Sequence, residues 1–449
     1  MKLTILGGGG FRVPLVYGAL LGDTHSSRVS DVALYDVDAA RLAAISAVLT
    51  QMGSGHDDPP RVHATSDLDG ALAGADFVFS AIRVGGVEAR TIDERVALSL
   101  GVLGQETTGP GGLAYALRTV PEAVRIAERI RACAPDAWTI NFTNPAGIVT
   151  EAMGRVLGDR VVGICDSPIA LARRAARACG VDPAVTDLDI DYVGLNHLGW
   201  LQGLRADGRD LLPGLVQDPA RLATIEEGRL FGPEWLGLLG AIPNEYLYYY
   251  YFTRDAVGAI LAADQTRGEF LRQQQSAFYA EIERTPEQAL ATWRRAREER
   301  DATYMKEARE AEEQRDAADI EGGGYEGVAL AIMAAISRGE PATLILNVPS
   351  GGVVGCVPDD AVVEVPCAVD RNGPRPLPVS APTGHMAGLM QQVKEVERLT
   401  IASALEPSPS LALKAFALHP LVDSVTTARR LLDGYRDANP LIGQLFAGR

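Results

Sequence analysis

Cysteine is scarce: five residues, Cys133, Cys165, Cys179, Cys356 and Cys367, are spread through 449 positions without paired spacing. Such scatter excludes a disulfide framework and fits reduced thiols. Cations are outnumbered by acids, 42 against 58, for a net charge of −16. That balance argues against nucleic acid as a partner, since its binding draws on clustered lysine and arginine. A small anionic ligand stays open, provided a local arginine pocket overcomes the surrounding field. Long apolar runs are missing too, none reaching the ~18 residues of a membrane span. Met1-Lys2 leads straight into an apolar strand rather than a leader peptide. We expect no membrane partner and a cytoplasmic location.

What the chain does have is enough apolar residue, 47%, to bury one large core or two moderate ones. Its first half alternates strand and helix. Leu3–Leu6, Asp31–Asp36, Asp76–Ala81, Trp138–Phe142 and Arg160–Cys165 read as strands, and Val13–Leu21 and Ala39–Met52 as helices between them. This alternation predicts an α/β fold, a doubly wound parallel sheet of the Rossmann type. From about Leu198 long helices dominate. They include the charged stretch Thr292–Asp319, expected to be a solvated helix face. Short strands at Thr343–Asn347 and Ala361–Val365 precede two C-terminal helices. There are no internal repeats and no low-complexity linker. We therefore expect a nucleotide-binding domain over 1–195 and a mixed, largely helical α+β domain over 196–449, which carries substrate and assembly contacts.

Within the first domain the strand, the turn Gly7-Gly8-Gly9-Gly10, the helix and then Asp36 closing the next strand follow the logic of a dinucleotide site. Glycines allow close approach of backbone to pyrophosphate, the helix N-terminus supplies amides, and the acid takes the ribose hydroxyls. Arg12 stands where the third glycine of the fingerprint is expected. Gly7, Gly9, Gly10, Phe11, Arg12 and Asp36 are the candidate cofactor residues, and Asp36 favours NAD over NADP by repelling a 2′-phosphate. Ligands of such sheets bind beyond the carboxyl ends of the strands, where Arg83, Asn144, Cys165 and Asp166 fall. Cys165 and His197 admit two readings. They are a metal pair with open coordination positions, or a buried small hydrophobe and a hydrogen-bonded loop residue.

Several motifs in order, Gln105-Glu106-Thr107-Thr108-Gly109-Pro110-Gly111-Gly112, Asn141-Phe142-Thr143-Asn144-Pro145, Cys165-Asp166-Ser167-Pro168, Asn196-His197 and Glu245-Tyr246 with Tyr248–Tyr251, resemble glycoside hydrolase family 4. The Thr107-Thr108-Gly109-Pro110-Gly111-Gly112 segment is most similar to its 6-phospho-β-glucosidase branch. The resemblance implies a lactate/malate dehydrogenase-like nucleotide fold, NAD and Mn2+ or another divalent metal, a phosphorylated sugar substrate, and a homodimer or homotetramer. It also implies a redox route outside the two-carboxylate scheme of most glycosidases: hydride leaves C3 for NAD, a base takes the acidified C2 proton, the aglycone departs, water adds at C1, and hydride returns.

On that basis Cys165 and His197 hold the metal, Tyr246 is the base with Tyr250 as rival, and Asp166 is acid to the leaving group or orients the substrate. Asn144 and Asn196 bind hydroxyls, Glu106 orients metal shell or substrate, and Arg90 and Arg267 take the phosphate, with Arg83 as a third candidate. Structural alternatives stand beside these roles: Asp166 as a helix N-cap, Asn144-Pro145 as a helix start, and the tyrosines as an aromatic stripe. Three other functions compete. They are another family 4 specificity (α-glucosidase, α-galactosidase or α-galacturonidase), an ordinary NAD-dependent dehydrogenase of the lactate/malate type, and a non-catalytic sugar-phosphate or NAD sensor.

Overall fold

Six parallel strands form the first half of a continuous sheet: β1 (Lys2–Leu6), β2 (Asp31–Tyr35), β3 (Arg61–Thr65), β4 (Phe77–Ser80), β5 (Trp138–Asn141) and β6 (Val161–Gly163). Their order, β3-β2-β1-β4-β5-β6, with every neighbour parallel, is that of a Rossmann sheet. The computed structural model describes residues 1–303 and 324–447. β4 and β5 are buried at every position, as expected for strands covered on both faces. β3, by contrast, is largely exposed at the sheet edge. It carries no apolar alternation, and for that reason it is absent from the strands expected above.

Beyond β6 the sheet continues antiparallel through β11 (Ala342–Pro349), β12 (Val362–Asp370), β7 (Leu188–Leu195), β8 (Leu198–Ala206) and β10 (Ile242–Pro243). Two short strands, β9 (Arg209–Asp210) and β13 (Gly373–Pro376), pair with β8 and β12. The second half therefore holds more strand than its sequence suggests. Its contribution extends the parallel sheet, and one apolar core runs from Leu3 and Leu34 through Trp200 to Val363 and Val365. At the far end four helices, His385–Leu405, Pro409–Leu418, Val425–Ala438 and Pro440–Leu445, follow the strands instead of two. The first of them packs on the helix Pro110–Cys133. Of the charged stretch, the helix Ala289–Ala302 buries Thr292, Trp293 and Ala296 and exposes most of its charged side chains; positions 304–319 lie outside the described residues.

Three features of this topology make a site. The glycine turn follows β1, Cys165 and Asp166 follow β6, and Asn196-His197 is the two-residue turn between β7 and β8. All three open to the same cavity.

Candidate active site

The cavity measures about 880 Å³ and is lined by Gly7, Gly10, Phe11, Arg12, Arg90, Glu106, Asn144, Cys165, Asp166, Asn196, His197, Tyr246 and Arg267. These come from distant parts of the sequence, yet the fold brings them together. Gly9 and Asp36 stand just behind the lining, the Gly9 N–H donating to Asp36 Oδ2 at 3.0 Å.

At the nucleotide end, Gly7 has φ +82°, a conformation that L side chains rarely adopt. A Cβ at Gly8 would lie 2.7 Å from Leu34 Cβ, so the turn sits directly on β2. The helix Val13–Gly22 begins with no side-chain cap, which leaves its N-terminus fit for an anion. The turn is also held from outside. Tyr279 donates to the Gly9 carbonyl at 2.6 Å, Trp293 Nε1 to the Phe11 carbonyl at 2.9 Å, and Tyr325 to the Arg12 carbonyl at 3.0 Å. Sequence reading missed all three donors, because each lies more than 260 residues from its acceptor.

Around Cys165 the surroundings are acidic. Burial pushes its thiol well up, and the charges of Glu364, Asp166 and Glu245 add to the shift. Burial likewise raises Glu245 and Glu364 to about 7. His197 is 7% exposed, and burial holds its pKa down to about 4, so the imidazole is neutral at neutral pH. Its Nδ1 lies 3.1 Å from Thr107 Oγ1, which leaves Nε2 for another partner. With φ +63°, His197 occupies a strained backbone position for a residue with a side chain. Its ring stacks on Tyr246 at 3.7 Å and 9°. A buried thiol among acids, beside a neutral imidazole, fits a divalent cation: the cation would offset the negative potential and stabilise the thiolate. Among the described residues, however, no three His, Cys, Asp or Glu side chains cluster as a metal cage, so further ligands would be water or substrate oxygens.

The structural alternatives resolve locally. Asp166 stands at the N-cap of the helix Ser167–Ala178, but its side chain makes no capping bond. Pro145 is the N-cap of the helix Ala146–Leu157, and the buried Asn144 Oδ1 has no hydrogen-bond partner. Both side chains are thus left to the cavity. Of the tyrosines, Tyr246 lines it, whereas Tyr250 lines a separate pocket of about 30 Å³ near Glu397 and His419. Burial, then the charge of Glu397, pushes the Tyr250 phenol far up.

A second grouping is basic. Arg83 and Arg90 both pair with Glu106, at 2.7 and 2.8 Å, and Arg90 pairs also with Glu94 at 2.8 Å. Burial opposes ionisation of Glu106, but the two guanidiniums outweigh it and hold the carboxyl below its usual range. Arg267 Nη1 donates to Thr303 Oγ1 at 2.6 Å and Nη2 to the Arg300 carbonyl at 3.0 Å. Arg300, not singled out from the sequence, lines the cavity as well. Its pKa is lowered by burial, then by the charges of Arg12, Arg267 and Arg90, with Glu106 opposing. Among the described residues no carboxylate forms an ion pair with it. Four guanidiniums in one another's field form a place for a polyanion.

A Rossmann sheet that brings a thiol and a carboxyl from the end of β6 to one cavity, where its antiparallel extension adds an imidazole and a phenol, defines a dinucleotide-fold enzyme. The chain belongs to family 4 of the glycosyl hydrolases. The model described as Family 4 glycosyl hydrolase matches residues 2–181, and that of the Family 4 glycosyl hydrolase C-terminal domain matches 192–422. A probable 6-phospho-beta-glucosidase of Bacillus subtilis is 31% identical over 98% of this chain and 96% of its own. A 6-phospho-alpha-glucosidase of Leptotrichia buccalis is 29% identical over 98% and 97%. The 6-phospho-beta glucosidase of Thermotoga maritima, solved with manganese, NAD+ and glucose-6-phosphate, superposes with a TM-score of 0.80 at 27% identity, covering 98% of both chains.

Proposed function

We propose that this glycoside hydrolase is a 6-phospho-β-glucosidase dependent on NAD and on Mn2+ or another divalent ion. The observation that carries the phosphorylated substrate is the Arg12, Arg90, Arg267 and Arg300 grouping in a chain of net charge −16. The β-specificity is supported by the 31% identical relative and by the Thr107–Gly112 motif. When bound, NAD supplies reversible oxidation at C3 and the divalent ion stabilises negative charge beside the C2 and C3 oxygens.

The protein's own residues have the remaining tasks. Cys165 Sγ and His197 Nε2 would hold the metal, and Thr107 fixes the imidazole through Nδ1. Tyr246, stacked on that imidazole, takes the C2 proton on its phenolic oxygen. Asp166, unused by its helix, gives a proton to the leaving oxygen. Asn144 and Asn196 orient hydroxyls, and Glu106 holds Arg83 and Arg90 toward the substrate. Arg267 and Arg300 grip the phosphate, as guanidinium forks suit a dianion.

A 6-phospho-α-glucosidase is the second reading, favoured by the 29% identical relative. Hydrolysis of p-nitrophenyl β- and α-glucoside 6-phosphates and their unphosphorylated counterparts separates them, run with metal-stripped protein, with and without NAD and Mn2+. The proposal expects p-nitrophenol from the β-phosphate alone, both additives required, and no accumulating NADH. Release from the α-phosphate alone would move the specificity to the second reading. NADH formed in step with substrate loss, without p-nitrophenol, would show a dehydrogenase instead.

A further inference from the structure

The middle of β12 contains a carboxyl group that its strand does not need. Glu364 has no exposed surface and lies opposite Asn347 of β11 and Gly194 of β7, with Val363 and Val365 on either side. Its Oε1 accepts from Asn196 Nδ2 at 3.1 Å and from Asn347 Nδ2 at 3.0 Å, and its Oε2 from the Tyr192 hydroxyl at 3.2 Å. All three donors are neutral. They hydrogen-bond the carboxyl without supplying an opposite charge, and among the described residues no cation pairs with it. Burying a carboxylate this way is costly unless a positive charge repays it.

The topology shows where that charge belongs. Asn196, held by Glu364, precedes His197 in the strained turn. On the other side Asn347 pairs in register with Gly163, two residues before Cys165.

We propose that Glu364 is a positioning residue for a divalent cation held by Cys165 and His197, acting through its buried charge and its grip on Asn196. This rests on the metal reading of that pair. Carboxylates behind metal ligands commonly control affinity in this way.

The test is a Mn2+ titration of full-length, NAD-saturated protein, following the free-ion electron paramagnetic resonance signal, with melting temperature and NAD affinity recorded on each variant. Glu364→Gln keeps the shape and removes the charge. It should weaken Mn2+ binding about 10–100-fold while NAD affinity stays at the parental value and the melting temperature holds or rises. Cys165→Ser is the reference and should weaken Mn2+ binding further. Parental Mn2+ affinity in Glu364→Gln, with Cys165→Ser impaired, overturns the inference and leaves Glu364 a tie between strands. A loss in Glu364→Gln as large as in Cys165→Ser makes Glu364 a ligand, which also overturns the positioning role. If Cys165→Ser binds Mn2+ like the parent, the metal reading itself has failed.

Discussion

Two groupings of charge share one cavity and are built in opposite ways. Around Cys165 the charges that act on the thiol are acidic, Asp166, Glu245 and Glu364; Glu245 and Glu364 take neutral hydrogen-bond donors, and the cation whose field reaches Glu245, Arg174, is itself paired with Glu227. Around Arg300 they are basic, Arg12, Arg90 and Arg267, with Glu106 as the opposing acid. Arg118 and Asp93, by contrast, close on each other: Arg118 meets Asp93 through two bonds of 2.8 and 2.6 Å, and the pair is almost inaccessible. The contrast separates charge that holds the fold from charge that awaits a ligand. Buried charge without an ion-pair partner, as at Arg300 and Glu364 among the described residues, is unfavourable in the free protein, and each specifies the sign of what relieves it.

Four variants sharpen or break this comparison. Tyr246→Phe should lower kcat about 10²–10⁴-fold with an unchanged melting temperature, and solvent deuterium should no longer enter at C2; full exchange would place the base elsewhere. Arg118→Met should do the reverse. Leaving Asp93 unpaired in the core costs about 3–5 kcal/mol, seen in chemical denaturation, while KM of the protein that remains folded stays as it was. Arg300→Met should raise KM for the phosphorylated substrate about 10–100-fold and hold or raise the melting temperature, because like charges are relieved. A stability loss like that of Arg118→Met would show that Arg300 belongs to the closed kind. Smallest is Tyr279→Phe, which removes one donor to the Gly9 carbonyl and should weaken NAD binding about fivefold, measured by fluorescence titration, with kcat at saturating NAD unchanged.

What was legible in the sequence followed from how local each signal is. The glycine turn, its helix and Asp36 lie within one β-α-β unit, so periodicity and turn chemistry suffice to find them. Cys165 and Asp166 follow from the end of β6, and their chemistry from motif order. Arg300 was hidden in a helix full of arginine and glutamate, where spacing cannot tell the one side chain that enters a cavity from its solvated neighbours. Glu364 did leave a mark, an acid inside the otherwise apolar run Val362–Val365, and alternation alone gave it no partner. β3 escaped because an exposed edge strand needs no apolar pattern; of the second half, Thr343–Asn347 and Ala361–Val365 were legible as β11 and β12, while β7, β8 and β10 escaped because antiparallel additions to a parallel sheet carry no helix between them to announce them.

The three aromatic donors on the glycine turn have a consequence in time. Gly9, Phe11 and Arg12 are synthesised well before the side chains that fix their carbonyls, which are at positions 279, 293 and 325. A nascent chain therefore carries an unfinished nucleotide turn through most of its synthesis, and the cofactor site matures only when the later helices dock.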